Sequence, residues 1–540
     1  MRLKDVFQEE TKRQFAEKGY RVPGYDRAAM IRATVEEPVW LHFGTGNIFR
    51  AFPAAVLDTL LDQGSYDKGV IAVEGFDYDI IEKAYKPFDN LSLSVVLNAD
   101  GSVDKRVVGS VAKALTADEK DAEFSYLLES FRNPSLQMVS FTITEKGYSL
   151  KGPDGSLSGV VKADFDQIAS GREMKMPVHL MGKLAWLLWE RYRAGAFPVA
   201  MVSMDNCSHN GDKLKEAVLS YVNQWLEAGV CGRDFLDYVE TSGKVSFPLS
   251  MIDKITPRPD QKVVAMLEQD GFEDTELIIT DKNTYTAAFV NAEAAQYLVI
   301  EDVFPNGRPP LEQGGIYFTD RETVDRVEKM KVCTCLNPLH TALAVFGCLL
   351  GYHTIWEEMK DEDLCSFVTR MGYDEGMPVV VDPQIIKPEQ FIREVLEQRL
   401  VNPFMPDTPQ RIATDTSQKL PIRFGETLKA YGRQGAEGLR YIPMVLAGYL
   451  RYLTGYNDEM EAFDPSPDPL LDELMEIMKK YAGAGKSAGA EELRPILGRV
   501  DIFGVDLYEY GLAGKITACF NEMNREKGCV RKALGSLKNQ

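Results

Sequence analysis

The chain is 540 residues long and 45% hydrophobic, enough to bury large cores in about two to four domains. Its formal charge is −20 and its pI near 4.9, a balance that repels nucleic-acid backbones and anionic membrane surfaces, so an anionic substrate has to meet a local basic pocket. The first residues, Met1 to Phe7, hold no long apolar run and no stretch approaches 18 uninterrupted apolar residues; the expectation is a cytoplasmic protein with neither an export signal, a nucleic-acid partner nor a membrane partner.

The first element, an apolar strand over residues 39–43, empties into Gly44-Thr45-Gly46, and a helical pattern follows through Ala54, Val56, Leu57, Leu60 and Leu61. Gly44 suits a tight turn, Gly46 lets backbone approach a phosphate, and Asn47, Phe49 and Arg50, which open the helix, are expected with them to contact the cofactor, with Phe49 where the usual dinucleotide fingerprint has its third glycine. An ordinary strand-to-helix turn has the same look. Residues 69–74 read as a buried strand ending in Glu74. An acid there accepts hydrogen bonds from both adenosine ribose hydroxyls and repels the 2′-phosphate of NADP, or is a plain strand-terminal acid. Residues 91–97 and 103–111 read as a hairpin-like pair, 136–144 and 198–204 as further strands, and 211–229 as an amphipathic helix. Strands alternating with crossover helices predict a mainly parallel sheet. Beyond about residue 320 the pattern turns helical, over 341–350, 388–400, 423–431, 439–454, 469–481 and 507–526, with 482–490 a flexible loop. The prediction is an α/β chain with a parallel-sheet domain over 1–318 and a mostly helical domain over 319–540.

Eight cysteines scattered through so long a chain read as reduced thiols. Cys333 and Cys335 form the one close pair, which reads better as alternate residues of a buried strand than as metal ligands, and no metal site is expected among only five histidines. The densest chemistry lies at Asp205-Asn206 and between Glu328 and His340. Asn337-Pro338 makes a helix start with Asn capping, His340 falls on a neighbouring part of the same helix surface, and Lys331 precedes the cap on a separate element. A lysine in a dry pocket drops toward ~7 to 8 and becomes a usable base for an alcohol, while neutral amides hold a developing alkoxide. The same residues also read as a solvated charge, a cap and a core histidine.

Together these stretches resemble the mannitol dehydrogenase family of long-chain polyol dehydrogenases, which includes fructuronate and tagaturonate reductases. The likeness spans about residues 38–455 and rests on 43–50, 142–148, Ser203-Met-Asp-Asn206 with His209-Asn-Gly211, 245–257, 299–309 and the Lys331 to His340 segment. It implies a zinc-independent, NAD-dependent enzyme, with a Rossmann-type N-terminal domain, a mostly helical C-terminal domain and an active site in the cleft between them. The implied chemistry is reduction of a keto sugar acid such as fructuronate to D-mannonate, with tagaturonate reduction or mannitol 2-dehydrogenation as alternatives and a non-catalytic nucleotide-binding sensor as a remote one. By the same resemblance Lys331 is the acid/base, Glu328 relays its proton, Asn206 and Asn337 hold the oxyanion, His340 contacts substrate, and Asp253, Arg411 and Lys419 bind it. The family has four residues between its lysine and asparagine, whereas five separate Lys331 from Asn337. On one continuous helix that residue rotates the lysine by about 100°. The expectation is a bulge within residues 332–335, with the lysine segment and the histidine helix out of phase because Pro338 biases Asn337 away from the α region. The oligomeric state is undefined by the sequence.

Overall fold

The computed structural model describes residues 1–152, 154–171 and 175–538. The chain divides into two compact units, residues 1–98 with 102–324, and residues 99–101 with 325–540.

The first unit is built on six parallel strands, β1 (Trp40–Phe43), β2 (Val70–Glu74), β3 (Val111–Thr116), β4 (Met138–Phe141), β5 (Val199–Ser203) and β6 (Val245–Ser246). Their spatial order is β3-β2-β1-β4-β5-β6, that of a doubly wound dinucleotide-binding sheet with its switch point between β1 and β4. Every residue of β1 and β2 is buried, as a sheet covered on both faces requires. On one face Leu41 and Phe43 pack in a core with residues of α3 (Leu180–Gly195) and α4 (Asn210–Glu227). On the other, Trp40 packs with Ala54, Leu57 and Leu60.

The helix expected after the glycine turn is two pieces, α1 (Asn47–Ala51) and α2 (Pro53–Asp62), parted at Phe52 with φ −128° and ψ −80°. Pro53 causes the break, because its ring disfavours helical geometry in the preceding residue. The hairpin expected over 91–111 is present as Ser92–Leu97 against Val103–Val108, antiparallel, but residues 111 onward already belong to β3. Gly109 ends the arm by donating its N–H to Asp58 Oδ1 at 2.9 Å.

In the second unit the expected helices are present, several of them finished by a tighter or wider turn. Residues 388–400 form Pro388–Glu394 and a π turn Val395–Arg399. Residues 423–431 straddle a π turn Pro421–Gly425 and the helix Glu426–Ala436. The others are Tyr441–Tyr452, Leu471–Met478 and Ala513–Met523. The expected flexible loop at 482–490 is pinned instead: Asn524 Nδ2 donates to Tyr481 O at 2.9 Å and Lys486 O at 2.7 Å, and Asn521 binds both backbone groups of Ala488.

Cys333 and Cys335 lie on no strand. They belong to a π turn, Met330–Cys335, between α5 (Arg321–Lys329) and α6 (Asn337–Leu350). An alternation of three residues flanked by helical periodicity has no partner strand to pair with and follows its neighbours. The whole helical run 321–350 is long and apolar enough to cross a membrane by length and composition, yet 78% of its most apolar window is buried inside the protein.

One buried group in this unit bears a measurable cost. Both carboxyl oxygens of Glu358 are buried without a hydrogen-bond partner, and burial first, then Asp361 and Glu357, push its pKa well above the usual carboxylate range. The folded state therefore holds a proton that the unfolded chain releases, so this group's contribution is fully present below the unfolded value and is lost as pH rises toward the folded one. Replacing Glu358 by Met is expected to raise stability at neutral pH by ~2 kcal/mol, and to flatten the pH dependence above the ordinary carboxylate range. Urea unfolding at two pH values measures both, and a destabilised variant would contradict the assignment.

Candidate active site

The carboxyl ends of β1, β2, β4 and β5 share one edge of the first unit's sheet. After β1, Gly44 turns the chain at φ +94°, with a Cβ excluded because it would lie 2.1 Å from the backbone oxygen of Thr142. Gly46 is the converse case: a Cβ there would meet nothing within 4 Å. No packing among the described residues demands glycine at 46, and the space a side chain would take is left open over the turn, as a pyrophosphate needs. The N-cap of α1 is Gly46 itself, which has no side chain to cap the first turn.

Phe49 and Arg50 serve this turn from behind. The Phe49 ring is buried and stacks on His42, centroids 3.9 Å apart. Arg50, 1% exposed, donates to Ala287 O, Thr286 Oγ1 and Asn47 Oδ1. The side chains of Phe49 and Arg50 thus face inward rather than toward a cofactor, and Asn47 holds Arg50 in place. Beneath the turn His42 is held neutral, burial pushing it down to about 3. Its ring contacts Ser140 Oγ, Thr142 Oγ1 and Gly44 O.

Glu74 has a different first task from the ribose contact expected of it. One carboxylate oxygen accepts from the N–H groups of Gly75, Phe76 and Asp77, and the other from Thr45 N and Thr45 Oγ1. With five protein donors on a carboxylate that is 6% exposed, the acid ties the glycine turn to the turn after β2 and brings a buried negative charge to the sheet edge.

After β5, Asn206 is exposed and Asp205 is buried. Asp205 accepts from the N–H groups of Ile143 and Thr144, and from the Tyr148 hydroxyl, holding Thr144 at φ +66°, a strained conformation for a β-branched residue. Asn210, which sequence reasoning passed over except as part of a motif, donates to Asp205 O and Ser250 O. It thereby fixes the β5 turn against the strand Ser250–Asp253, which ends in buried Asp253.

In the second unit Glu328, Lys331, Asn337 and His340 follow one another along a single helical run. Lys329 is exposed, whereas Lys331 is 4% exposed and Glu328 partly so. The extra residue is absorbed within the π turn, where Leu336 N–H donates to Lys331 O, five residues back, at 3.1 Å. A π turn is a one-residue insertion that leaves the helix on either side near its original phase. The bulge is where it was expected, but the break in phase is not: Asn337 is helical, and the irregular residue is Leu336 with φ −129°. Pro338 fits because it stands in the first turn of α6, where a backbone N–H has no intrahelical partner, and the Cys333 carbonyl takes the Thr427 hydroxyl at 3.0 Å. Asn337 is not the cap expected of it: it is the first residue of α6, and the N-cap position falls to Leu336, which makes no side-chain capping bond.

His340 Nε2 stands 3.5 Å from Asp407 Oδ2, yet the imidazole is held neutral. Burial comes first among the causes; Asp407 opposes it, Arg423, Arg399 and Arg411 add to it, and the value falls to about 4. Arg411 pairs with the other oxygen of Asp407. Lys419 donates to the carbonyls of Ile412 and Thr414; burial and then Arg423 push it down to about 8. Arg411 and Lys419 thus belong with His340 to one charged neighbourhood, in which they and Arg399 and Arg423 face the carboxylates of Asp407, Asp415 and Asp468; nothing in the sequence context of Arg399 and Arg423 distinguishes them from surface arginines.

The strand order and the glycine turn at the switch point define the first unit as a Rossmann-type dinucleotide-binding fold. The Mannitol dehydrogenase Rossmann domain model matches residues 39–313, and the Mannitol dehydrogenase C-terminal domain model matches residues 323–524; the chain belongs to the mannitol dehydrogenase family and is an oxidoreductase. It is 49% identical over 521 residues to a D-mannonate oxidoreductase of Thermotoga maritima, covering 96% of this chain and 95% of that one. Among solved structures it resembles a D-sorbitol dehydrogenase in substrate-free form, with TM-score 0.77, 25% identity, and 96% and 97% of the two chains covered. It also shares its fold with the Pseudomonas fluorescens mannitol 2-dehydrogenase solved with NAD and D-mannitol, with TM-score 0.68, 24% identity, and coverage of 98% and 99%.

Proposed function

We propose that this protein is an NAD-dependent reductase that converts the keto sugar acid D-fructuronate to D-mannonate. The near full-length 49% identity to a D-mannonate oxidoreductase carries the reading, and the cationic surroundings of His340 support an acidic substrate over a neutral polyol.

The turn at Gly44 and Gly46 would hold the cofactor's pyrophosphate, and the bound cofactor supplies the hydride. Asn206 and Asn337 donate hydrogen bonds to the carbonyl oxygen as negative charge grows on it. Lys331, buried and therefore shielded from bulk water, delivers the proton to that oxygen, and the partly exposed Glu328, one helical turn earlier, returns a proton from solvent. Asp253, Arg411 and Lys419 orient the substrate hydroxyls. NADH consumption measured in parallel with D-fructuronate, D-tagaturonate and D-fructose tests the assignment. The highest kcat/KM is expected with fructuronate, and a preference for fructose would replace the sugar-acid reading with a polyol one.

The buried charge of Glu74 sets a second expectation. A 2′-phosphate brought to the end of β2 meets this carboxylate, so NADH is expected to be preferred over NADPH, and Glu74→Ser to narrow the gap by ~10-fold or more. Because the same substitution removes the acceptor for five donors, it should also cost ~2 kcal/mol or more of stability. Equal efficiency with both cofactors in the unmutated enzyme would remove the charge argument.

A further inference from the structure

We propose that Arg423 is the residue that recognises the substrate's carboxylate and so selects sugar acids over neutral keto sugars; this rests on the function proposed above. The ground for it is an uncompensated charge in a built setting. Asp407 is already shared between His340 and Arg411, and the Lys419 ammonium is turned to two backbone carbonyls. Arg423 is half-buried, makes one hydrogen bond, from Nη1 to Thr341 Oγ1 at 2.6 Å, and pairs with no carboxylate among the described residues. A guanidinium has five N–H donors in a fixed fork, and holding one partly out of water with a single neutral partner is costly unless an anion completes it.

The side chain is aimed rather than loose. The Thr341 hydroxyl that accepts from Arg423 donates in turn to Asn337 O at 3.0 Å, so the guanidinium is oriented by the helix that carries Asn337 and His340. From the other side, Arg423 sits on the π turn Pro421–Gly425. That turn is wedged in place, since a Cβ on Gly425 would lie 2.5 Å from Phe503 O. Arg399, another of the cations acting on His340, also lies on a π turn, Val395–Arg399. Such turns swing the side chains that follow them off the regular helix line and recur at functional sites. A carboxylate accepts two parallel N–H bonds from the free edge of a guanidinium, and a hydroxymethyl group at the same end of a neutral sugar does not.

The test is steady-state NADH consumption with D-fructuronate and with D-fructose for the wild type, Arg423→Gln, Arg423→Lys and Thr341→Val. In Arg423→Gln the ratio of kcat/KM for fructuronate to that for fructose is expected to fall ~100-fold, chiefly through KM for fructuronate. Arg423→Lys, which keeps the charge and the stem, should retain part of the ratio, and Thr341→Val should lower it by ~10-fold by releasing the aimed side chain. Added guanidinium should restore part of the loss in Arg423→Gln. A ratio unmoved in Arg423→Gln, in an enzyme that prefers fructuronate, overturns this proposal and leaves the function intact; so does an equal loss with both substrates. A wild type that consumes NADH with fructose but not with fructuronate overturns the function and this proposal together.

Discussion

Lys331→Ala is expected to lower kcat by ~100-fold or more, the scale of a lost general acid–base group, with little change in cofactor affinity. Lys329→Ala should be mild. The difference follows from where the helix puts the two side chains. Lys329 is solvated, while Lys331 is 4% exposed at the head of the π turn. A solvated ammonium exchanges its proton with water and has no privileged acceptor, whereas a buried one can be held for a single oxygen. If Lys331 is the base proposed above, the π turn is what keeps it in place despite one residue too many against the family spacing that the resemblance implies. Inserting a further alanine between Val332 and Thr334 should cost activity at least as heavily, because it rotates the lysine by about 100° with no second turn to absorb it. A crippled Lys329→Ala beside a near-normal Lys331→Ala would show that the catalytic position has moved.

How much of this was legible in the sequence depended on how local the signal was. The buried strands 40–43, 70–74, 138–141 and 199–203 announce themselves through unbroken apolar runs, and the glycine turn through its spacing, so the parallel sheet could be anticipated. The inward roles of Phe49 and Arg50 could not, because a short helix on a sheet edge turns one face to the ligand and the other to the core, and a five-residue stretch has too little periodicity to say which. Glu74 was recognised as an acid at the right strand end, but its backbone donors come from two separate turns that only the fold brings together. The Cys333-Thr-Cys335 alternation imitated a strand because a π turn has no composition of its own; it comes from one residue too many between two helices, and only the count against the family pattern exposed it. Arg399 and Arg423 went unread for the plainest reason: an arginine in an acidic, soluble-looking sequence defaults to the surface, and the burial that makes these two distinctive is a product of tertiary packing.

Gly44→Ala and Gly46→Ala are expected to fail in different ways, and the difference tests the cofactor site. At Gly44 an alanine would have to hold φ near +94°, a strain of ~1–3 kcal/mol, and its Cβ would lie 2.1 Å from Thr142 O and 2.7 Å from Thr142 C. That obstacle is backbone, and it cannot swing aside: Thr142 N–H donates to Phe43 O at 2.9 Å, and the Thr142 hydroxyl donates to Gly44 O at 2.8 Å. Relieving the clash means parting β1 from β4 at the switch point, so Gly44→Ala should lose ~3 kcal/mol or more of stability and bind no cofactor. Gly46→Ala has φ −74° and open space for its Cβ, so the apo protein should melt at the wild-type temperature. What it fills is the space left over the turn, and NADH affinity should fall by ~100-fold, the loss expected when backbone can no longer close on a pyrophosphate. Thermal melting and NADH titration by fluorescence separate the two outcomes. A Gly46→Ala enzyme that binds NADH normally would mean that the pyrophosphate lies elsewhere and that the turn only joins a strand to a helix.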